Sequence, residues 1–164
     1  MVVNKLYKNL MEHWKKYGYS VYKNQDLSEA GKNDCEELYL NDPLEAEVKN
    51  QLATELIEMF FGNNDRQYVD DDIINYLNSN PLVRYYFAFE EKLNVYIKEG
   101  LISKNNIFSA AQNYLLDSDD VEGIKFALSL LRYCANEEAE EILKAFSNHN
   151  EFIFYCIEGL KEYD

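Results

Sequence analysis

Runs of acidic side chains are the feature of this sequence that is most similar to a catalytic or metal-binding site. Closely spaced carboxylates bind Ca²⁺ or Mg²⁺, and a pair of them in one pocket can act as general acid and base. Such runs occur at residues 70–72, 117–122 and 137–141. Each has to be weighed against a simpler role at the first turn of a helix, where carboxylates offset the helix dipole.

The run at 117–122, Asp-Ser-Asp-Asp-Val-Glu, is similar to the start of a calcium-binding loop but fails at the decisive positions. The fifth residue of the loop would be Val121, the glycine needed at the sixth is Glu122, and the acid needed at the twelfth is Leu128. We interpret this run as a turn between helices. Its carboxylates cap the next helix and stay open to a partner.

Two interpretations stay open for the other acidic runs. Residues 70–72 either begin a helix or form a partner contact or metal site. The glutamates of 137–141 either fill the first turn of a helix or present a surface to lysine and arginine side chains. A helix start needs only the local sequence, so we take it as the primary interpretation of both runs.

The remaining reactive side chains are too scattered for a catalytic or metal site. His13 and His149 are the only histidines, and metal binding or proton transfer would need them clustered with carboxylates or cysteines. The cysteines Cys35, Cys134 and Cys156 contain no CxxC pair, and we predict that all are reduced thiols. Motifs of phosphate-binding loops, serine hydrolases and zinc proteases are absent. We therefore expect no enzyme, metal or cofactor.

Charge gives the strongest indication of function. The chain has 30 acidic and 16 basic side chains, a net charge of -14, of which residues 1–32 carry +3 and the remainder -17. Such a field repels nucleic acid and anionic lipid and attracts cationic partners. No apolar run approaches the ~20 residues of a membrane helix, and no signal-peptide segment opens the sequence. We expect a cytoplasmic protein that binds a basic protein, and neither nucleic acid nor a membrane.

The elements that position these residues are predicted to be helices. The 6 glycines and 2 prolines are too few for a loop-rich β-sandwich. Apolar residues recur at three- and four-residue spacing, which indicates an all-α single domain over 1–164 with about seven or eight helices. Residues 19–41 read as a loop with a short helix near 35–40. The predicted helices cover 2–17, 42–61, a short segment from 70, 81–99, 103–116, 118–133, 136–146 and 150–163. The predicted N-caps of the last three are Ser118 or Asp119, Asn136 and Asn150, and Gly100 is predicted to end the helix 81–99.

The last four predicted helices contain a repeated apolar pattern. The first and third match at an offset of 32 residues, and the second and fourth match at an offset of 29. Any two amphipathic helices share part of this apolar spacing, but the matched loop lengths favour a true repeat. We therefore predict antiparallel helix pairs with connections of two to four residues, stacked as a short α-solenoid. The matched positions are Ile107, Ala110, Ala111 and Tyr114 with Ala139, Ile142, Leu143 and Phe146, and Ile124, Ala127, Leu128 and Leu131 with Ile153, Cys156, Ile157 and Leu160.

The segments 119–131, 136–146 and 149–157 resemble helix pairs of HEAT-like repeat proteins. Small acidic bacterial proteins with such a C-terminal half resemble immunity proteins, which neutralise the toxins of competing bacteria. The resemblance covers residues 103–164, and residues 1–100 carry none. It implies an acidic solenoid that docks on a basic toxin domain and covers its active site. It identifies no functional residue individually.

Candidate contacts follow from the solenoid prediction. If the second helix of each pair lines the concave face, its non-apolar positions face the partner, and the 14 tyrosines of the chain suit such an interface. The alternative is a helical-repeat adaptor with a non-toxin protein partner, which should bind with little salt dependence. An enzyme with paired carboxylates would instead need two acids with raised pKa in one pocket. The predicted partner-binding residues are Glu122, Tyr155, Glu158, Asp119, Asp120 and Glu151.

Overall fold

A computed structural model describes residues 5–17, 44–61, 69–147, 149 and 151–163, and this part of the chain consists of helices and the turns between them, without a strand. The all-α prediction is therefore confirmed. The predicted loop and short helix of 19–41, the helix start at 42–43 and the prediction for Cys35 lie outside the described residues. The helices are α1 (Lys5–Tyr17), α2 (Ala46–Phe61), α3 (Asp71–Ser79), a 3-10 helix (Leu82–Tyr85), α4 (Tyr86–Lys98), α5 (Lys104–Asp117), α6 (Val121–Leu131), α7 (Glu137–Phe146) and α8 (Ile153–Leu160).

Side-chain caps explain where several helices begin. Asp70 accepts a hydrogen bond from the Ile73 backbone N–H at 3.0 Å, and Asn136 accepts one from the Ala139 N–H at 2.7 Å. Both caps agree with the sequence prediction, and the acidic runs at 70–72 and 137–141 do begin helices. Helix α4 is followed by Gly100, whose φ of 74° is a conformation that glycine adopts without strain.

Other boundaries differ from the prediction. Helix α6 begins after Asp120, rather than Ser118 or Asp119, because the Asp120 carboxylate accepts from the Gly123 N–H at 3.0 Å. The predicted helix 81–99 is divided into the 3-10 helix and α4. Connections of two to four residues are wrong for 132–136 and 147–152, since α6 and α8 are shorter than the apolar periodicity suggested.

Helix α6 lies at the centre of the fold. Every residue from Gly123 to Leu131 is buried, including Lys125 and Ser129. Helices α3, α5, α7, α8 and the 3-10 helix all contact α6, while α7 packs on α8 and α1 lies against α5 and α7. The two predicted helix pairs therefore exist, but α6 is covered on all sides and contributes no open concave face.

Gly123 is required by the close approach of α5 to α6, and we expect Gly123→Ala to lower the free energy of unfolding by about 1–3 kcal/mol. A Cβ at this position would collide with the Tyr114 ring and hydroxyl. That hydroxyl accepts from Ser118 Oγ at 3.0 Å and donates to the Asp120 carbonyl at 3.4 Å, so the ring is held in place.

Urea denaturation of the Gly123 variant tests this close approach, with Gly159→Ala as the control. The control Cβ would meet only the flexible end of Leu143, with its Cδ1 at 3.1 Å. The gain in helix propensity, about 0.5–1 kcal/mol, should offset that contact. Equal destabilisation by the two substitutions would contradict the account of Gly123.

Candidate functional site

The prediction for Tyr155 is wrong, because its side chain is completely buried. Its ring packs edge-on against Tyr86, with centroids 5.6 Å apart, and against Phe154 at 5.2 Å. The Lys125 ammonium lies 5.9 Å from the centre of the same ring. Tyr155 belongs to the core between α4, α6 and α8, and its side chain is not available to a partner.

Two predicted acids pair with basic residues of the same chain. The Glu122 side chain is 20% exposed and lies 3.5 Å from the Lys125 ammonium. The Glu158 side chain is 12% exposed and contacts the Arg132 guanidinium at 3.8 Å and the Lys161 ammonium at 2.9 Å. Both carboxylates are therefore largely used within the fold.

The turn between α5 and α6 presents the predicted acids that remain accessible. Asp119 is exposed, and Asp120 is half-buried where it caps α6 and lies 3.3 Å from the Asn78 amide. Glu151 is half-buried in the turn before α8, apart from this group. Of the six predicted residues, the structure brings only Asp119 and Asp120 together on an accessible surface.

A groove of about 290 Å³ lies beside this turn, between the first turn of α3 and the last turn of α5. We call it the acidic groove. Asp71 and Asp117 are exposed side chains in its wall and form no ion pair with any described residue. None of the described residues that line it is basic, and Ile74 and Tyr114 supply apolar surface. Its lining residues are Val69, Asp71, Ile74, Asn113, Tyr114, Asp117 and Ser118.

A second feature is a cluster of carboxylates around one guanidinium, which we call the Arg132 cluster. Arg132 follows α6, and its Nη atoms lie 3.5 Å from Glu90 of α4, 3.8 Å from Glu158 of α8 and 3.2 Å from Glu162. Lys161 contacts Glu158 from the other side. Three carboxylates therefore meet two cations, and the cluster joins α4, α6 and α8.

Glu90 is the most strongly perturbed acid of this cluster. It is 5% exposed, and burial raises the pKa of its carboxyl to about 7, against the opposing effects of Tyr133, Arg132 and Tyr86. Neither carboxylate oxygen makes a well-formed hydrogen bond, and the Tyr86 hydroxyl and Arg132 Nε also lack one. An acid with a pKa near 7 can exchange protons at neutral pH, but this one is shielded from solvent.

The Arg132 cluster is not among the sites predicted from the sequence, although the sequence contains a signal for it. Glu90 lies four residues after Tyr86 and three before Leu93, which places it on the buried face of α4. An acid at such a position needs a buried cation as partner. Sequence spacing identifies Arg132 only as a polar position of the predicted helix 118–133, because spacing does not show that its side chain reaches α4.

The two described cysteines and His149 have environments typical of structural residues. Cys134 and Cys156 are buried free thiols, as predicted; burial raises the pKa of Cys134 to about 12 and that of Cys156 further. His149 stacks on Phe152, its Nδ1 accepts from the Glu151 N–H, and burial lowers its pKa. Within the described ranges, no group of three or more histidine, cysteine, aspartate or glutamate residues is arranged to hold a metal ion.

Helices in the described part of the chain are all too short or too polar to cross a lipid bilayer.

Comparisons do not assign this site to a known protein. Comparison with protein-family models, with curated proteins and with solved structures finds no match to the chain.

Proposed function

We propose that this protein is an immunity protein that binds a basic bacterial toxin domain and covers its active site. The observation that supports the proposal is the acidic groove, to which two helices far apart in sequence each contribute an exposed carboxylate without an ion pair to a described residue. Asp119 and Asp120 extend this acidic surface into the neighbouring turn. The contact region is thus the end of the α5–α6 pair, rather than a concave face formed by α6 and α8.

The acidic groove suits a lysine or arginine side chain. Such side chains have an apolar stem and a charged tip, and the groove offers apolar Ile74 and Tyr114 beside Asp71 and Asp117. Arginine in particular can form two parallel hydrogen bonds with one carboxylate. Toxins that cleave nucleic acids use basic clefts, so an acidic protein can occupy such a cleft in place of phosphates.

The net charge of -14 adds long-range attraction to these contacts. Electrostatic steering raises association rates and weakens as salt screens the charges. An inhibitor of this kind should therefore associate with its target quickly at low ionic strength and more slowly at high ionic strength.

Neutralising the acidic groove tests the proposal. The tagged wild-type protein and the Asp71→Asn/Asp117→Asn variant would capture partners from the cells that produce it, at low and high salt. We expect a basic protein to be retained by the wild type at low salt and lost at high salt, and the variant to retain about tenfold less, the effect of losing charge-assisted contacts.

The matched control is Glu45→Gln/Glu47→Gln, which removes the same charge from exposed positions near the start of α2. This control should capture the partner as the wild type does. Equal loss in both variants would show that only total charge matters, and retention by the groove variant would exclude the acidic groove as the contact.

A helical adaptor is the second candidate, and exposed apolar residues favour it. Phe87 and Val95 lie on one face of α4 and are 48% and 44% exposed. Val95 also borders a groove of about 400 Å³ together with Asn50, Glu91, Lys92 and Tyr96. Capture of a neutral or acidic partner that survives high salt, and that is lost on Phe87→Ser/Val95→Ser, would favour the adaptor.

A further inference from the structure

A groove of about 640 Å³ lies on a different surface from the acidic groove, where the end of α4, the start of α5 and the segment after α6 meet. We call it the lysine groove. Its lining residues include more basic than acidic side chains, whereas the whole chain has a net charge of -14. Its lining residues are Asn94, Ile97, Lys98, Lys104, Arg132, Tyr133, Ala135 and Glu162.

Lys98 and Lys104 are the groups in this groove that are available to a ligand. Both are exposed, they come from different helices, and neither forms an ion pair with a carboxylate in the described part of the chain. The charge of Lys104 also acts on the buried Cys134 thiol and opposes the rise in its pKa, so this ammonium lies close to the segment that borders the groove. The Asn94 amide, likewise without a hydrogen bond to a described residue, adds a further donor.

The Arg132 side chain lines this groove in a fixed position, because its guanidinium is already paired with carboxylates. Its guanidinium is held by Glu90 and Glu162 at 3.5 and 3.2 Å and lies 5.5 Å from the centre of the Tyr133 ring. Glu162 is the one acid among the described lining residues, and it shares the Arg132 guanidinium with Glu90 and Glu158. Because Lys98 and Lys104 form no ion pair with a described residue, the groove carries a local excess of positive charge.

We propose that the lysine groove binds a small organic anion with more than one carboxylate or phosphate group. Its volume lies in the range of small-molecule sites, and Ile97 and Tyr133 offer apolar contact for the body of such a ligand. A long polyanion such as nucleic acid would face the acidic remainder of the surface. A small anion experiences mainly the nearest charges, because screening at physiological salt acts over about 8 Å.

An NMR titration tests this site independently of the proposed toxin binding. The ¹⁵N-labelled protein would be titrated with citrate, fructose 1,6-bisphosphate and adenosine 5′-diphosphate, with sodium chloride at matched ionic strength as the reference. We expect saturable shifts at the amides of 94–98, 104–106 and 132–135 with at least one probe. The carboxylate and phosphate probes distinguish the two sources of charge.

Variants distinguish a specific binding site from nonspecific electrostatic attraction. Lys98→Gln/Lys104→Gln should weaken binding about tenfold or more, as expected for two lost charge-assisted contacts. Glu162→Gln should strengthen it. The control Lys8→Gln/Lys15→Gln removes the same charge from exposed positions of α1 and should bind as the wild type does. Unsaturable shifts with every probe, or equal weakening by both lysine pairs, would overturn the proposal.

Discussion

Arg132→Met is expected to lower the free energy of unfolding by about 3–5 kcal/mol at pH 8, the cost of leaving buried charges without their partner. Arg132 is the cation that Glu90, Glu158 and Glu162 share, and the Glu90 and Glu158 side chains are only 6% and 12% exposed. Lys161 contacts Glu158 but reaches neither of the others in the described structure. Methionine keeps much of the apolar stem, so the loss reports mainly on charge.

The control for this prediction is removal of the most buried acid. Glu90→Gln alone should raise stability at pH 8, because it removes a buried carboxylate that is ionised at this pH and whose pKa burial raises to about 7. Combined with Arg132→Met, it should restore a large part of the lost stability, measured by urea denaturation as a double-mutant cycle. If the effects of the two substitutions simply added, Glu90 and Arg132 would not be coupled and the Arg132 cluster would not hold the helices together.

The second large effect is a dependence of stability on pH caused by Glu90. Its pKa is 4.5 in the unfolded chain and about 7 in the fold, so the folded state binds more protons between these values. The stabilisation from protonated Glu90 is therefore complete below pH 4.5 and is lost as pH rises through 7. At 1.36 kcal/mol per pKa unit, the loss is roughly 3 kcal/mol.

Denaturation of the wild type and Glu90→Gln across pH 4 to 8.5 measures this effect. Other carboxylates contribute to both proteins, so the difference between the two curves isolates Glu90. We expect the wild type to lose stability relative to the variant as pH rises through about 7. Parallel curves would show that the Glu90 carboxyl titrates alike in the folded and unfolded states.

Most of the helical content was predictable because it depends on local sequence. Caps such as Asp70 and Asn136 and the stop at Gly100 act within a few residues of the chain, and each lies where predicted. The predicted positions of helix ends that have no side-chain cap were less accurate. Helix α8 begins after Phe152, which makes no side-chain cap, and the predicted cap at Asn150 lies outside the described residues.

The candidate site was less predictable because it depends on distant contacts. Periodicity shows that α6 and α8 each have an apolar face, but not whether the opposite face stays open. Helix α3 and the 3-10 helix cover α6, and Tyr86 covers Tyr155, and these contacts join segments far apart in sequence. For the same reason, the pairing of Glu90 with Arg132 and the position of Asp71 and Asp117 on one groove were not visible in the sequence.

Inhibition of the captured partner is the measurement that tests the proposed function most directly. The basic protein recovered at low salt would be assayed for toxin activity, for example nucleic-acid cleavage, with increasing amounts of this protein. We predict complete inhibition by an equimolar amount of the wild type and of Glu45→Gln/Glu47→Gln, and markedly weaker inhibition by Asp71→Asn/Asp117→Asn. A partner that keeps its full activity when saturated with the wild-type protein would contradict the proposal that this chain is an immunity protein.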